Sequence, residues 1–240
     1  MAAGRAAIEE RETMRAPILV VTLLLAVASM VPAARAASPT PIASCPYTIT
    51  ISESYAVSKD LSSAGTCITV LTNGVTIDLA GHTITGNGTG FGIVDGQRVN
   101  GLFQKDITLE NGTVTQFGVG ISVGSTASVT IMQITAQTNT DVGIALGSSS
   151  TVINATSIKN GGNGLNLGAF TSFVSLRADW NGGDGANGGF DNSFSGVEAS
   201  FNTGAGINTQ YNLTVTNSGS FEFRMGELAA GKRLGASAWS

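Results

Sequence analysis

Apolar residues fall in short alternating runs rather than helical stripes: Val75-Thr76-Ile77-Asp78-Leu79, Ile107-Thr108-Leu109, Val129-Thr130-Ile131, Phe173-Val174-Ser175-Leu176 and the stretch from Phe194 to Val197. Alternation with period two over so few residues predicts half-buried β-strands. Each run ends in a turn rich in Gly and Asn, and no helix of about ten residues fits between turns.

The runs belong to a repeat. A Gly followed by an aliphatic residue recurs at Gly92-Ile93, Gly120-Ile121, Gly143-Ile144, Gly164-Leu165, Gly185-Ala186 and Gly206-Ile207, with spacings of 28, 23, 21, 21 and 21. Four residues before the later anchors stands a polar amide, namely Gln116, Asn139, Asn160, Asn181 and Asn202; only Gly88, before the first, breaks the rule. Strands that repeat at this period without crossover helices predict stacked parallel coils. The amides then form one column at the interstrand distance of about 4.8 Å, where each side chain can bond the next.

These residues resemble the right-handed parallel β-helix repeat of the pectin-lyase-like superfamily over about residues 68–217. The stretch Ile77-Asp78-Leu79-Ala80-Gly81-His82-Thr83-Ile84-Thr85-Gly86 is similar to the opening coil of many secreted bacterial members. The resemblance implies an all-β, right-handed parallel β-helix solenoid of about seven coils with 21–23-residue repeats. A leucine-rich repeat has a comparable period, but needs Leu-x-Leu before the Asn. Here those positions hold Ala178, Trp180, Ala199 and Phe201.

Segments outside the repeat complete the organisation. Met14-Arg15, an apolar run over 16–28 and Ala34-Arg35-Ala36 predict a signal peptide, 1–36, cleaved after Ala36. Met14 is a possible true start, because Glu9, Glu10 and Glu12 fit poorly ahead of a signal. Residues 37–67 are expected to be a linker and disulfide-closed cap, 68–220 the β-helix, and 221–240 an irregular tail or cap. Export to an extracellular or periplasmic space favours a disulfide between Cys45 and Cys67, the only two cysteines. No transmembrane segment is expected after signal cleavage, since the apolar run is shorter than the about 20 residues a span needs.

Composition then narrows function. Only 12% of the chain is charged while 42% is apolar and Gly numbers 32, which excludes a disordered polyelectrolyte. Residues 37–220 carry five basic and eleven acidic residues, a net charge of −6. Nucleic acid is therefore no partner, for want of a basic stripe.

Candidate chemistry is sparse. Asn139-Thr140-Asp141 matches the first acidic motif of polygalacturonases within the resembled superfamily, but the Asp-Asp, Gly-His-Gly and Arg-Ile-Lys motifs that should follow are absent. A lyase would need a cation to neutralise a substrate carboxylate and a base to take the adjacent proton. The catalytic candidates are Asp141, Arg177, Asp179 and Asp184. Arg177 and Glu198 each lie eight residues before an anchor, so they are expected to stack as a surface ion pair. Gly161-Gly162-Asn163-Gly164-Leu165-Asn166-Leu167 and Gly182-Gly183-Asp184-Gly185-Ala186-Asn187 are similar to a calcium-binding nonapeptide, with Asn where its Asp would stand and the wrong period. Asp179, Asp184 and Asp191 are the densest carboxylates and the candidate ligands of a calcium ion; no other cofactor is expected. His82, without a second His or Cys nearby, is expected to be structural. Trp180 and Phe201, 21 apart, are expected as a core stack; if exposed they would be the best sugar-binding feature in the chain.

The sequence thus predicts a secreted binding or surface-interaction module with polysaccharide as its partner. The alternative is a polysaccharide lyase or glycoside hydrolase acting on an acidic polymer.

Overall fold

A computed structural model of the chain describes residues 38–96, 104–124, 127–216 and 223–225. The chain divides into two compact units, Met1–Ser38 and Pro39–Ser240, and every described strand belongs to the second. The expected signal peptide and residues 226–240 lie outside the described residues.

All strand pairs are parallel, in two sheets. Nine strands form one sheet: Tyr47–Ile49, Ile68–Val70, Phe91–Asp95, Val119–Val123, Ile144–Leu146, Leu165–Leu167, Ala186–Phe190, Ile207–Tyr211 and Phe223–Met225. The other holds Thr40–Ile42, Ser54–Val57, Val75–Asp78, Lys105–Thr115, Ala127–Gln137, Thr151–Ile158, Ser172–Arg177, Ser193–Glu198 and Thr214–Thr216, with Leu61–Ser62 and Thr83–Thr85 alongside. The anchor residues Ile93, Ile121, Ile144, Leu165, Ala186 and Ile207 are register partners in successive strands. The chain is a parallel β-helix of about eight turns, and no described helix is long and apolar enough to cross a membrane.

The corners of each coil are set by backbone conformation. Among the described residues, fifteen of the sixteen non-glycine residues with positive φ, all but Ala80, are assigned to three columns. These run Asp106, Ser128, Ser149, Phe170, Asp191, Asn212; then Asn111, Gln133, Asn154, Ser175; then Gln116, Thr138, Lys159, Trp180, Phe201. Within a coil the three are five residues apart, as at Phe170, Ser175 and Trp180. Single left-handed residues are uncommon outside glycine, and here each breaks an extended run into short straight pieces that turn around the core. Gly196 takes the same conformation at the level of Ser175. Inside, Phe173 and Phe194 stack at 4.6 Å, and the core runs from Ile42 to Ile207.

The Asn column and the Gly anchors are one device. Asn139 Nδ2 donates to Asn160 Oδ1 (2.9 Å), Asn160 Nδ2 to Asn181 Oδ1 (3.0 Å), and Asn181 Nδ2 to Asn202 Oδ1 (2.9 Å). Each Oδ1 also accepts the backbone N–H of the Asn one coil earlier. A Cβ on Gly164 would lie 2.7 Å from Asn181 Nδ2 and 2.5 Å from Gly185 O, so the anchor leaves room for the next coil's amide.

Gln116 does not join this ladder. Thr115 pairs with Gln137 and Ile121 with Ile144, so the turn between them is one residue shorter in the earlier coil. Phe117 therefore occupies the ladder level, fully buried, and its N–H donates to Asn139 Oδ1 at 3.0 Å. Gln116 is left exposed at a corner.

The stack also begins earlier than residue 68. Tyr47–Ile49 pairs with Ile68–Val70, and Ser54–Val57 with Val75–Asp78, so segment 37–67 itself forms coils. Its anchor position holds Tyr47 rather than an aliphatic after Gly, which hid it from the repeat pattern. The expected disulfide joins Cys45 to Cys67. Cys67 is fully buried, and the bridge ties two neighbouring coils where Tyr47 N–H donates to Cys67 O. At the far end, Phe223–Met225 pairs with Ile207–Thr209, so the stacking extends into the segment expected to be an irregular tail.

Candidate functional site

The outward side of the second sheet carries columns of polar side chains. Thr113, Thr135, Thr156, Arg177 and Glu198 are successive register partners, and alternation turns them to the outside while Ala136, Ala155 and Leu176 face the core. The column changes from neutral hydroxyls to charge at Arg177.

Arg177 does not pair with Glu198 as expected. Its Nε–H donates to Asp179 Oδ2 at 2.7 Å, two residues along the same chain. Asp179 is the reason: its side chain is only 6% exposed, and a buried carboxylate requires a counter-charge and hydrogen bonds. Its other oxygen accepts the N–H of Ser200 at 2.8 Å. The Arg177 side chain, 55% exposed, is thereby turned towards Asp179. On its other side lies a depression of about 350 Å³ lined by Asn154, Thr156, Ser175, Arg177, Gly196 and Glu198.

Trp180 and Phe201 overturn the expectation of a core stack. They are 54% and 70% exposed, and their rings stack face to face at 4.4 Å and 17°. Both occupy the left-handed corner column, one residue before the ladder Asn. When Asn181 turns inward, the residue ahead of it turns out. Because the rings cover each other, their facing sides are closed to solvent. A second exposed pair, Phe170 and Phe190, meets edge to face at 5.2 Å near another corner.

The other sequence candidates lie elsewhere. Asp141 is exposed in the turn that follows the ladder. Asp184 sits in the corresponding turn two coils on, and its carboxylate is occupied: Oδ1 accepts from Ala205 N–H (2.7 Å), Oδ2 from Asn187 and Asn208 Nδ2 (2.9 Å each). Asn163 Oδ1 likewise accepts Asp184 N–H at 2.7 Å. The nonapeptide-like segments are thus a second, outer ladder. Asp191 occupies a corner and accepts from Asn212 Nδ2 at 2.6 Å. Asp179, Asp184 and Asp191 do not converge as a calcium site would require; among the described residues no group of three His, Cys, Asp or Glu could hold a metal ion. His82 Nδ1 lies 3.2 Å from Asp60 Oδ1. The Thr83 N–H and His82 together hold the Asp60 carboxyl below its ordinary value.

Of the four catalytic candidates, then, only Arg177 and Asp179 come together; Glu198 was marked only as an ion-pair partner, and Trp180 and Phe201 were marked as sugar-binding only on condition of exposure, which the structure shows. Spacing found the aromatic pair, but the corner conformation that exposes it leaves no mark in the apolar pattern.

A parallel β-helix with a polar outer face beside an aromatic corner is the class that these observations define. No protein-family model and no curated protein matches the chain. Among solved structures, it is similar to the A-module of the Azotobacter vinelandii mannuronan C-5 epimerase AlgE4, at 17% identity and a TM-score of 0.42. The match covers 70% of this chain and 66% of that chain.

Proposed function

We propose that the protein is an exported carbohydrate-binding module, with its contact surface on the outer face around Arg177, Glu198, Trp180 and Phe201. The observation that carries the reading is the position of the exposed Trp180–Phe201 stack next to the Arg177–Asp179 pair. Sugar rings have apolar C–H faces and rims of hydroxyls, so they bind where an aromatic surface adjoins fixed donors and acceptors. Arg177 is held through its Nε–H by Asp179 while its side chain stays half exposed.

In this reading residues 1–36 are the export signal, and the Cys45–Cys67 bond fits an oxidising compartment. Binding is favoured over cleavage by the state of the carboxylates. Asp179 is buried against Arg177, and Asp184 already accepts three hydrogen bonds within the protein.

The test is to incubate the full chain with a panel of neutral and acidic polysaccharides, and to measure both retention and new chain ends. Retention without new ends is expected, falling at least about tenfold in Trp180→Ala, as for an aromatic anchor. New chain ends, or retention that survives substitution of both Trp180 and Phe201 by Ala, would overturn the reading.

A further inference from the structure

We infer that this surface takes neutral hexose units, with Arg177 as donor and Glu198 as acceptor to adjacent ring hydroxyls; the inference rests on the carbohydrate-binding reading above. Three observations lead to it.

The first is the state of Arg177. An Arg and a Glu in register on adjacent parallel strands ordinarily attract each other, yet Arg177 spends its Nε–H on Asp179. Asp179 offsets this positive charge from inside the protein, which weakens its pull on a ligand's carboxylate or sulfate. The terminal N–H groups of Arg177 remain directional donors, because a guanidinium carries five N–H in a fixed fork.

The second is Glu198, exposed on the next coil. An anionic sugar unit seated against Trp180 would meet this carboxylate and no net positive charge. Lys159 stands one coil before Trp180 in the corner column and brings the local count of Lys159, Arg177, Asp179 and Glu198 to zero. The body as a whole carries −6, so the longer-range field also disfavours a polyanion.

The third is what precedes the site. Thr113, Thr135 and Thr156 lead into Arg177 in the same column, and Thr156 and Asn154 line the depression. A chain following this track meets neutral hydroxyls and amides, with no cation to match a charge on every unit. A neutral hexose is suited to all three features. One ring hydroxyl donates to the Glu198 carboxylate while its neighbour accepts from Arg177, and the apolar ring face or edge lies against the aromatic pair.

Affinity electrophoresis of the full chain tests this, in gels containing a mixed-linkage β-glucan, a β-mannan, polygalacturonate or alginate, each at low and high salt. Retardation by at least one neutral polymer is expected, unchanged by salt and weakened about tenfold in Glu198→Gln, the loss of a charge-assisted hydrogen bond. Glu198 is exposed, so the variant should melt with the parent. Retardation only by the acidic polymers, abolished by salt and strengthened in Glu198→Gln, would overturn the inference while leaving carbohydrate binding intact. Neutral binding that neither Glu198→Gln nor Arg177→Gln weakens would overturn the donor and acceptor roles. Retardation by none of the four polymers would overturn this inference and, with no retention on the wider panel, the binding reading as well.

Discussion

Arg177 and Glu198 are register partners on neighbouring strands, but the guanidinium of Arg177 bonds Asp179 at 2.7 Å instead. Burial decides between the two acids. Glu198 is hydrated and gains little from an exposed pair, typically under about 1 kcal/mol. Asp179 is out of water, and leaving it unpaired would cost much more. Arg177 thus pairs with the buried acid of its own coil, and Glu198 on the next coil is left to solvent.

Asp179→Ala is accordingly expected to act on stability and on the surface together. It removes the acceptor of Ser200 N–H and the partner of Arg177, a loss of about 1–3 kcal/mol for buried hydrogen bonds. Released, Arg177 can turn to Glu198 and occupy the acceptor proposed for ligand. Thermal melting should fall, and retention on polysaccharide should fall further than the shift in melting explains. An unchanged melting temperature would show that Asp179 is not held as described.

The Asn ladder gives a contrast between two residues that look alike in the sequence. Asn181→Ala removes the oxygen that accepts from Asn160 Nδ2 and N, and the amide that donates to Asn202 and Ser157 O. A cost of at least about 2 kcal/mol is expected, since several buried partners are left unmet. Gln116→Ala should stay within about 0.5 kcal/mol, as an exposed surface substitution does. Chemical denaturation of both variants measures the difference, and equal losses would contradict the register that puts Phe117 in the ladder.

That register marks where sequence reading reaches its limit. Period and anchors were legible because glycine is required wherever the next coil's amide approaches, as Gly164 shows against Asn181. The amide four residues ahead belongs to the same contact, so the two signals appeared together. Gln116 looked like a rung because its distance to Gly120 matches, but spacing within a turn cannot reveal that the turn is one residue short. Coils at 40–62 were missed because Tyr47 and Ile68 hold the anchor level without a preceding glycine. The site was less legible still. Trp180 and Phe201 were visible as a spaced pair, but inside and outside are assigned by alternation, which a left-handed corner interrupts.

The Cys45–Cys67 bridge should stabilise the first coils. It closes a loop with a sequence separation of 22, worth about 3 kcal/mol in the chain-entropy model. Reduction should lower the melting temperature and raise amide exchange first in Tyr47–Ile49 and Ile68–Val70, the strands it joins. Melting that is indifferent to reductant would refute the stapling role.

The same end of the helix should fail first in alkali, because of Tyr55. Its side chain is 3% exposed, and burial, followed by the nearby Glu53 carboxylate, raises its pKa above the ordinary value of about 10. The hydroxyl donates to Ile51 O at 2.9 Å, an arrangement that only the neutral phenol can make. The native state binds this proton more tightly than the unfolded chain does, so the sign is fixed by linkage. Its contribution is fully present below about pH 10, the unfolded value, and is lost as pH rises through the higher folded value. Tyr55→Phe should melt somewhat lower at neutral pH, by the net worth of one hydrogen bond, about 1 kcal/mol. Its melting temperature should then decline less steeply between about pH 9 and 11 than that of the parent. Parallel declines in the two proteins would mean that Tyr55 is not the group whose ionisation opens these coils.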